Sequence, residues 1–62
     1  METIKQILMR RDGMSAEEAD ELIREAKDDL DEQLYRGEYP FDICQEYFGL
    51  EPDYLDELLY YQ

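Results

Sequence analysis

One segment, between Ser15 and Gly37, restricts the fold more than any other part of the sequence. Ser15 and Glu18 stand three residues apart as a capping-box pair, and Gly37 has the position of a helix stop. Apolar residues recur inside the segment at helical intervals: Ala19, Leu22, Ile23, Ala26, Leu30 and Leu34. This period places them on one stripe of a helix, with polar residues opposite. We therefore predict a long helix from Ala16 to Arg36.

A shorter helix is predicted ahead of this segment. Thr3 and Gln6 form a second capping-box pair, and three apolar residues follow at helical spacing, namely Ile4, Ile7 and Leu8. Gly13 is placed to end this helix, and the arginines before it suit the negative end of a helix dipole. The prediction is a helix from Ile4 to Arg11.

Two further helical segments are predicted after Gly37. Pro40 suits the first position of a third helix, which would end at Gly49 and contain Phe41, Ile43, Cys44, Tyr47 and Phe48. Pro52 opens a fourth segment, in which Leu55, Leu58 and Leu59 share one face. We expect its end to fray near Tyr60, Tyr61 and Gln62.

No alternating strand pattern of useful length and no internal repeat interrupts these helices. The predicted fold class is therefore all-α: a compact bundle of three to four short helices with one longer central helix. We expect a single acidic helical domain over residues 1–62. A chain of about 60 residues buries only about 60% of its unfolded surface, so the core is small and a homodimer is an alternative source of stability.

Charge decides which partners to expect. Eighteen Asp and Glu residues oppose six Lys and Arg, for a net charge of −12. Nucleic acid and anionic membranes repel such a chain, because both attract proteins through Lys and Arg. A basic protein surface attracts it and accelerates association. We expect a basic protein partner, with neither direct nucleic-acid binding nor membrane binding.

The compartment is predicted from three features. Cys44 is the single cysteine, which excludes an internal disulfide, and no apolar run approaches the roughly 18 residues of a membrane span. The first eleven residues lack the apolar region of a secretory leader. These features favour a cytoplasmic protein.

Catalytic and metal chemistry finds little support in the residues. The chain has no histidine, so Cys44 lacks the usual base of a catalytic thiol, and its position on an apolar stripe indicates a buried core residue. The run Asp28, Asp29, Asp31 and Glu32 has no glycine turn of a calcium loop and indicates a solvated helix face. We expect no enzyme activity, no metal and no cofactor.

The strongest functional signal is the order of carboxylates along the predicted long helix. Glu17, Glu21, Glu25, Asp28 and Glu32 follow one another at steps of three or four residues. At about 1.5 Å of rise per residue, neighbouring charges lie roughly 5–6 Å apart on the outer face. Repeated negative charge of this kind resembles the phosphates of one nucleic-acid strand. The alternative is that the charge only confers solubility.

The C-terminal segment supplies the other candidate binding residues. It carries Asp53, Asp56 and Glu57 together with Tyr60 and Tyr61. Tyrosine is enriched at protein interfaces, because it combines a large contact area with a polar tip. We expect Tyr35, Tyr39, Tyr60 and Tyr61 to be at least partly exposed, and Tyr47 and Tyr54 to complete the core. An isologous dimer through this segment is one use for them.

The stretches RRDGMSAEEADELIREAKDDL and DICQEYFGLEPDYLDELL resemble short acidic helical proteins of phages, prophages and other mobile elements. Some small acidic phage proteins inhibit host defence by imitating DNA, so the resemblance implies a DNA mimic as one function. We therefore expect an interaction protein whose acidic face occupies a basic surface, such as that of a nucleic-acid-processing complex. The alternative is a self-associating structural or regulatory module.

Overall fold

Four α-helices follow one another in the chain. The computed structural model describes residues 2–61. Its helices are α1 (Ile4–Asp12), α2 (Ala16–Tyr35), α3 (Ile43–Phe48) and α4 (Leu55–Leu59), and a 3₁₀ turn at Pro52–Tyr54 leads into α4. No strand occurs within residues 2–61. The predicted all-α class and the longer central helix are confirmed.

The predicted caps determine where α1 and α2 begin. At the start of α2, the Ser15 hydroxyl accepts a hydrogen bond from the Glu18 N–H at 3.1 Å, and the Glu18 carboxylate accepts one from the Ser15 N–H at 3.0 Å. Thr3 forms the same reciprocal pair at the start of α1. Gly13 ends α1 in the left-handed region, at φ 67°, where glycine has no Cβ penalty. The predicted ends of both helices differ from the structure by one residue.

The third helix begins later than predicted. The Ile43 N–H donates to the Pro40 carbonyl at 3.2 Å, and Asp42 has φ −90° and ψ 0°, the values of the third residue in a type I turn. Pro40 is therefore the first residue of a turn and not the first residue of a helix, so that prediction is wrong. The turn directs Phe41 outward, where 61% of its surface is exposed.

Apolar side chains from all four helices meet in one core. Its buried members are Ile4, Leu8, Ala19, Ile23, Ala26, Leu30, Ile43, Cys44, Phe48, Leu55 and Leu58. The predicted stripe of α2 faces this core, with Leu22 and Leu34 packed at its edge. Burial raises the pKa of the Cys44 thiol, and the negative charge of Glu57 adds to this effect. The predicted core position of Cys44 is confirmed.

The length of α2 sets the shape of the molecule. Its twenty residues span about 30 Å, close to the 34 Å long axis of the protein. α2 packs against each of the other three helices, so the short helices lie along one side of it. The opposite side is left to solvent. Within residues 2–61, no helix has the length and apolar character needed to cross a bilayer.

Tyr61, which we expected at the frayed end of α4, packs against the core. α4 ends at Leu59, and the Tyr61 side chain is half-buried against the core. We expected Tyr61 to fray with its neighbours, and the structure anchors it instead through a hydrogen bond described below. Gln62, the last residue of that expected frayed end, lies outside the described residues.

Candidate functional site

Five carboxylates occupy the face of α2 that points away from the core. We call Glu17, Glu21, Glu25, Asp28 and Glu32 the acidic row, and all five side chains are exposed. Successive residues turn by about 100° around a helix, which places the row opposite the buried stripe of α2. From the first to the last member the row extends about 22 Å along the axis, at about 1.5 Å per residue.

Most residues of the acidic row form no ion pair with another described residue of the protein. Within residues 2–61, Glu32 is the one member with an ion pair, a long contact of 3.9 Å to Arg36. The other basic side chains that form ion pairs turn to carboxylates outside the row: Lys5 to Asp20, Arg10 to Glu2, Arg11 to Asp12, and Lys27 to Asp31. Arg24, which follows Glu21 on the exposed side of α2, forms no ion pair with any described residue. The row therefore presents largely unbalanced negative charge.

Two basic side chains are used to cap short helices. The Lys27 ammonium donates to the Leu59 carbonyl at 2.6 Å, and the Arg11 guanidinium donates to the Phe48 carbonyl. These carbonyls lie at the C-terminal ends of α4 and α3, where unpaired carbonyl groups carry partial negative charge. These two basic side chains are therefore engaged in contacts within the fold and are not available to neutralise the acidic row.

The C-terminal candidates divide into exposed and internally bonded residues. Asp53 and Asp56 are exposed. Glu57 is half-buried, and its carboxylate accepts a hydrogen bond from the Ile4 N–H at 2.8 Å. α1 has no acidic residue in its own first turn, so Glu57 supplies the negative charge that a helix N-terminus favours. This structural role was missed, and its one signal in the sequence was the lack of an acidic residue in the first turn of α1.

Tyr61 and Asp20 form a second polar contact between α2 and the C-terminal segment, besides that of Lys27 with Leu59. The Tyr61 hydroxyl donates to the Asp20 carboxylate at 2.6 Å, and the Lys5 ammonium donates to its other oxygen at 3.2 Å. The bond to Asp20 raises the pKa of Tyr61 to about 12. The same bond, followed by that from Lys5, lowers the pKa of Asp20. Asp20 was not among the predicted site residues.

The structure brings four of the C-terminal candidates together. Asp56, Glu57, Tyr60 and Tyr61 line an open groove of about 630 Å³ with Thr3 and Lys5. Tyr60 is 83% exposed. No member of the acidic row lines this groove, and neither does Asp53, so the predicted binding residues fall on separate surfaces.

A third surface contains exposed aromatic residues at the connection between α2 and α3. Tyr35 is 93% exposed, Phe41 61% and Tyr39 53%. The rings of Tyr39 and Phe41 lie 4.5 Å apart between centroids and are tilted by 45°. The expected exposure of Tyr35 and Tyr39 is confirmed. Phe41 was missed, because its apolar side chain and the preceding proline both suggested a buried helical position.

Comparison of the chain with protein families, with curated proteins and with solved structures finds no match. Within residues 2–61, no three Cys, Asp or Glu side chains converge in a group that could hold a metal ion. The Cys44 thiol is buried and its pKa is raised, which disfavours the reactive thiolate. What the surface offers is negative charge in a fixed geometry.

Proposed function

We propose that this protein acts by contact, with the acidic row of α2 occupying a basic surface on another protein. The observation that carries the proposal is that four of the five row members, Glu17, Glu21, Glu25 and Asp28, form no ion pair within residues 2–61. The helix fixes the backbone of these residues at regular intervals before a partner binds, so the conformational entropy lost on binding is mainly that of their side chains.

We propose further that the partner's basic surface is one that ordinarily binds a nucleic-acid backbone. Such surfaces recognise phosphates through Lys and Arg at repeated spacing, and carboxylates at roughly 5–6 Å intervals offer those side chains similar contacts. The net charge of −12 would steer the protein toward such a partner. In this role the protein inhibits a nuclease, restriction or other nucleic-acid-processing complex.

A matched pair of charge reversals tests the proposal. Glu25→Lys changes a member of the row, and Glu51→Lys makes the same charge change at an exposed residue outside it that has no side-chain cap bond. The immobilised protein is used to capture host proteins at low salt, and those eluted by duplex DNA are measured for binding to each variant. We expect Glu25→Lys to weaken binding by at least about ten-fold, since it replaces an attraction with a repulsion, and Glu51→Lys to change it by less than about three-fold.

Salt and a double reversal give the decisive outcomes. Binding should weaken steeply as ionic strength rises, and Glu25→Lys with Asp28→Lys should abolish it while the helical circular dichroism is retained. Equal losses from Glu25→Lys and Glu51→Lys would mean that only net charge matters. Captured proteins that duplex DNA fails to displace would contradict the mimicry.

Self-association is the second candidate function, and the exposure of Tyr60 beside the C-terminal groove favours it. In this role Tyr60 and the groove form an isologous interface, and the acidic row confers solubility only. Sedimentation at several protein concentrations distinguishes the two functions. A dimer that persists at low salt and is lost in Tyr60→Ala supports self-association, whereas a monomer throughout argues against it.

A further inference from the structure

We propose that a pocket between α2 and α3 binds an arginine side chain of a partner protein. The pocket is lined by Gln33, Tyr39, Pro40, Phe41, Asp42, Ile43 and Glu46 and has a volume of about 210 Å³. It is separate from the acidic row, so the inference holds whether or not the row binds a partner.

The aromatic rings of the pocket are arranged for contact with a cation. Tyr39 and Phe41 are 53% and 61% exposed, although an apolar ring of this size is usually buried. Their centroids lie 4.5 Å apart and their planes are inclined at 45°, so the two rings are in contact with each other, and both line the pocket. The type I turn at Pro40 holds Phe41 in this outward position. The face of an aromatic ring attracts a cation through its quadrupole.

The polar lining of the pocket is negative. Asp42 and Glu46 are exposed, and neither carboxylate has an ion pair or a hydrogen bond with a described residue. Asp42 precedes α3 without making a side-chain cap bond. Arg36, the nearest arginine in sequence, contacts Glu32 at 3.9 Å and Glu38 at 3.6 Å and does not line the pocket. Two free carboxylates beside two exposed rings are complementary to a cationic side chain.

Size and geometry select an arginine from the possible occupants. A volume of about 210 Å³ lies below the roughly 300–1,000 Å³ of small-molecule sites but suits one long side chain. The planar guanidinium stacks on aromatic rings and binds carboxylates through two parallel N–H groups, whereas an ammonium does neither as well. A second copy of this chain is disfavoured, because both copies carry a charge of −12.

Short peptides that differ in one side chain test the pocket. The probes are acetyl-Gly-Arg-Gly-amide, its lysine analogue, and its citrulline analogue, which keeps the shape of arginine without the charge. Binding is followed by nuclear magnetic resonance through the ring protons of Tyr39 and Phe41. We expect the arginine peptide to shift both rings saturably and to bind about five-fold more tightly than the citrulline peptide. The lysine peptide should fall between them.

Two pocket variants and one control variant distinguish binding in this pocket from general attraction to a negatively charged protein. Phe41→Ala should weaken arginine binding about two- to five-fold, and because Phe41 is 61% exposed the fold should survive. Asp42→Asn with Glu46→Gln should weaken it to a similar extent. Glu2→Gln with Glu51→Gln removes the same charge from exposed residues outside both the pocket and the acidic row, and should leave the peptide affinity unchanged.

Three results would overturn the inference. The first is equal affinity for the arginine and citrulline peptides. The second is an equal loss of affinity from the pocket variants and from the Glu2→Gln, Glu51→Gln control, which would show attraction to net charge alone. The third is a shift of the Tyr39 and Phe41 ring signals on dilution of the protein by itself, which would identify a second copy as the occupant. Failure of the acidic row to bind a partner would leave all three readouts unaffected.

Discussion

Both the flanks and the outer face of α2 carry carboxylates, but those on the flanks accept hydrogen bonds from other helices and most of those on the outer face do not. Asp20 and Asp29 lie on the flanks, where they receive hydrogen bonds from Tyr61 at 2.6 Å and Tyr47 at 3.1 Å. Glu25, on the outer face, has no hydrogen bond or ion pair within the described residues. Position around the helix, and not residue type, therefore decides whether a carboxylate of α2 serves the fold.

The placement of the basic residues explains how a chain with so few cations remains compact. Three of its six basic residues join helices: Lys5 links α1 to α2, Arg11 links α1 to the end of α3, and Lys27 links α2 to the end of α4. Few are left over for the outer face, where mutual repulsion costs a few tenths of a kcal/mol per pair. Substitutions on the core side and flanks should therefore change stability, whereas those on the outer face should change binding.

The largest effect is expected from the core side of α2. Leu30 is fully buried, and Leu30→Ala should destabilise the protein by about 2–5 kcal/mol through lost burial and a cavity. A core of this size supplies roughly 3–5 kcal/mol in total, so the variant should be largely unfolded at room temperature. Urea denaturation followed by circular dichroism measures the change. Leu34→Ala, at the half-buried edge of the core, is the control and should cost clearly less.

The next effect is expected on the flank, where Tyr61→Phe removes the hydrogen bond to Asp20. The loss should be about 0.5–1.5 kcal/mol, since the ring remains in place and one hydrogen bond disappears. Tyr60→Phe is the matched control, because Tyr60 is 83% exposed and the substitution should alter stability by less than about 0.5 kcal/mol. Equal effects of the two variants would contradict the assignment of Tyr61 to the fold.

The pH dependence of the Tyr61 variant sharpens this prediction. In the folded state the pKa of Tyr61 is raised to about 12 from an ordinary value of 10.0. The unfolded chain therefore loses this proton first, and the stabilisation is complete below about pH 10 and lost as the pH rises toward 12. The advantage of the wild type over Tyr61→Phe should shrink across that interval. The difference in phenolate absorbance between the wild type and Tyr61→Phe should grow mainly as the pH approaches 12.

Asp20, the partner of Tyr61, makes the stability of the protein sensitive to low pH. The pKa of Asp20 is lowered by its bonds to Tyr61 and Lys5. Its contribution to stability is therefore present above the carboxyl pKa of the unfolded chain and is lost as the pH falls through the lower folded value. The two titrations bracket the range in which this contact supports the flank of α2.

Local signals in the sequence account for α1 and α2 but not for the bonds between helices. The capping pairs at Thr3 and Ser15 involve residues three positions apart, so spacing alone predicted both helix starts. The bond from the Ile4 N–H to Glu57 joins residues 53 positions apart. No periodicity reports such a contact, because it depends on how α4 docks. The structural roles of Glu57 and Tyr61 therefore could not be separated from binding roles in advance.

The misplaced start of α3 has a different cause. A proline can open a helix or begin a turn, and Pro40 has suitable neighbours for both. The turn at Pro40 delays the helix to Ile43 and exposes Phe41 beside Tyr39. Sequence pattern placed Phe41 in the helix, since it assigns apolar residues to a core before the chain path is known. The sequence therefore did not predict the pocket lined by Tyr39 and Phe41.

The smallest effect, and the one with the opposite sign, is expected on the outer face. Glu25→Gln with Asp28→Asn removes two charges of the acidic row while nearly preserving shape and helix propensity. Relief of repulsion with Glu21 and Glu32 should raise the free energy of unfolding by a few tenths of a kcal/mol. The loss of the attraction between Arg24 and Asp28 makes this gain smaller. Because salt already screens exposed charges, the gain should be measurable at low ionic strength and vanish near 1 M salt. Glu51→Gln, outside the row, should show no such gain. A loss of stability in the double variant would mean that the row supports the fold, and the contrast between the outer face and the flanks of α2 would then be wrong.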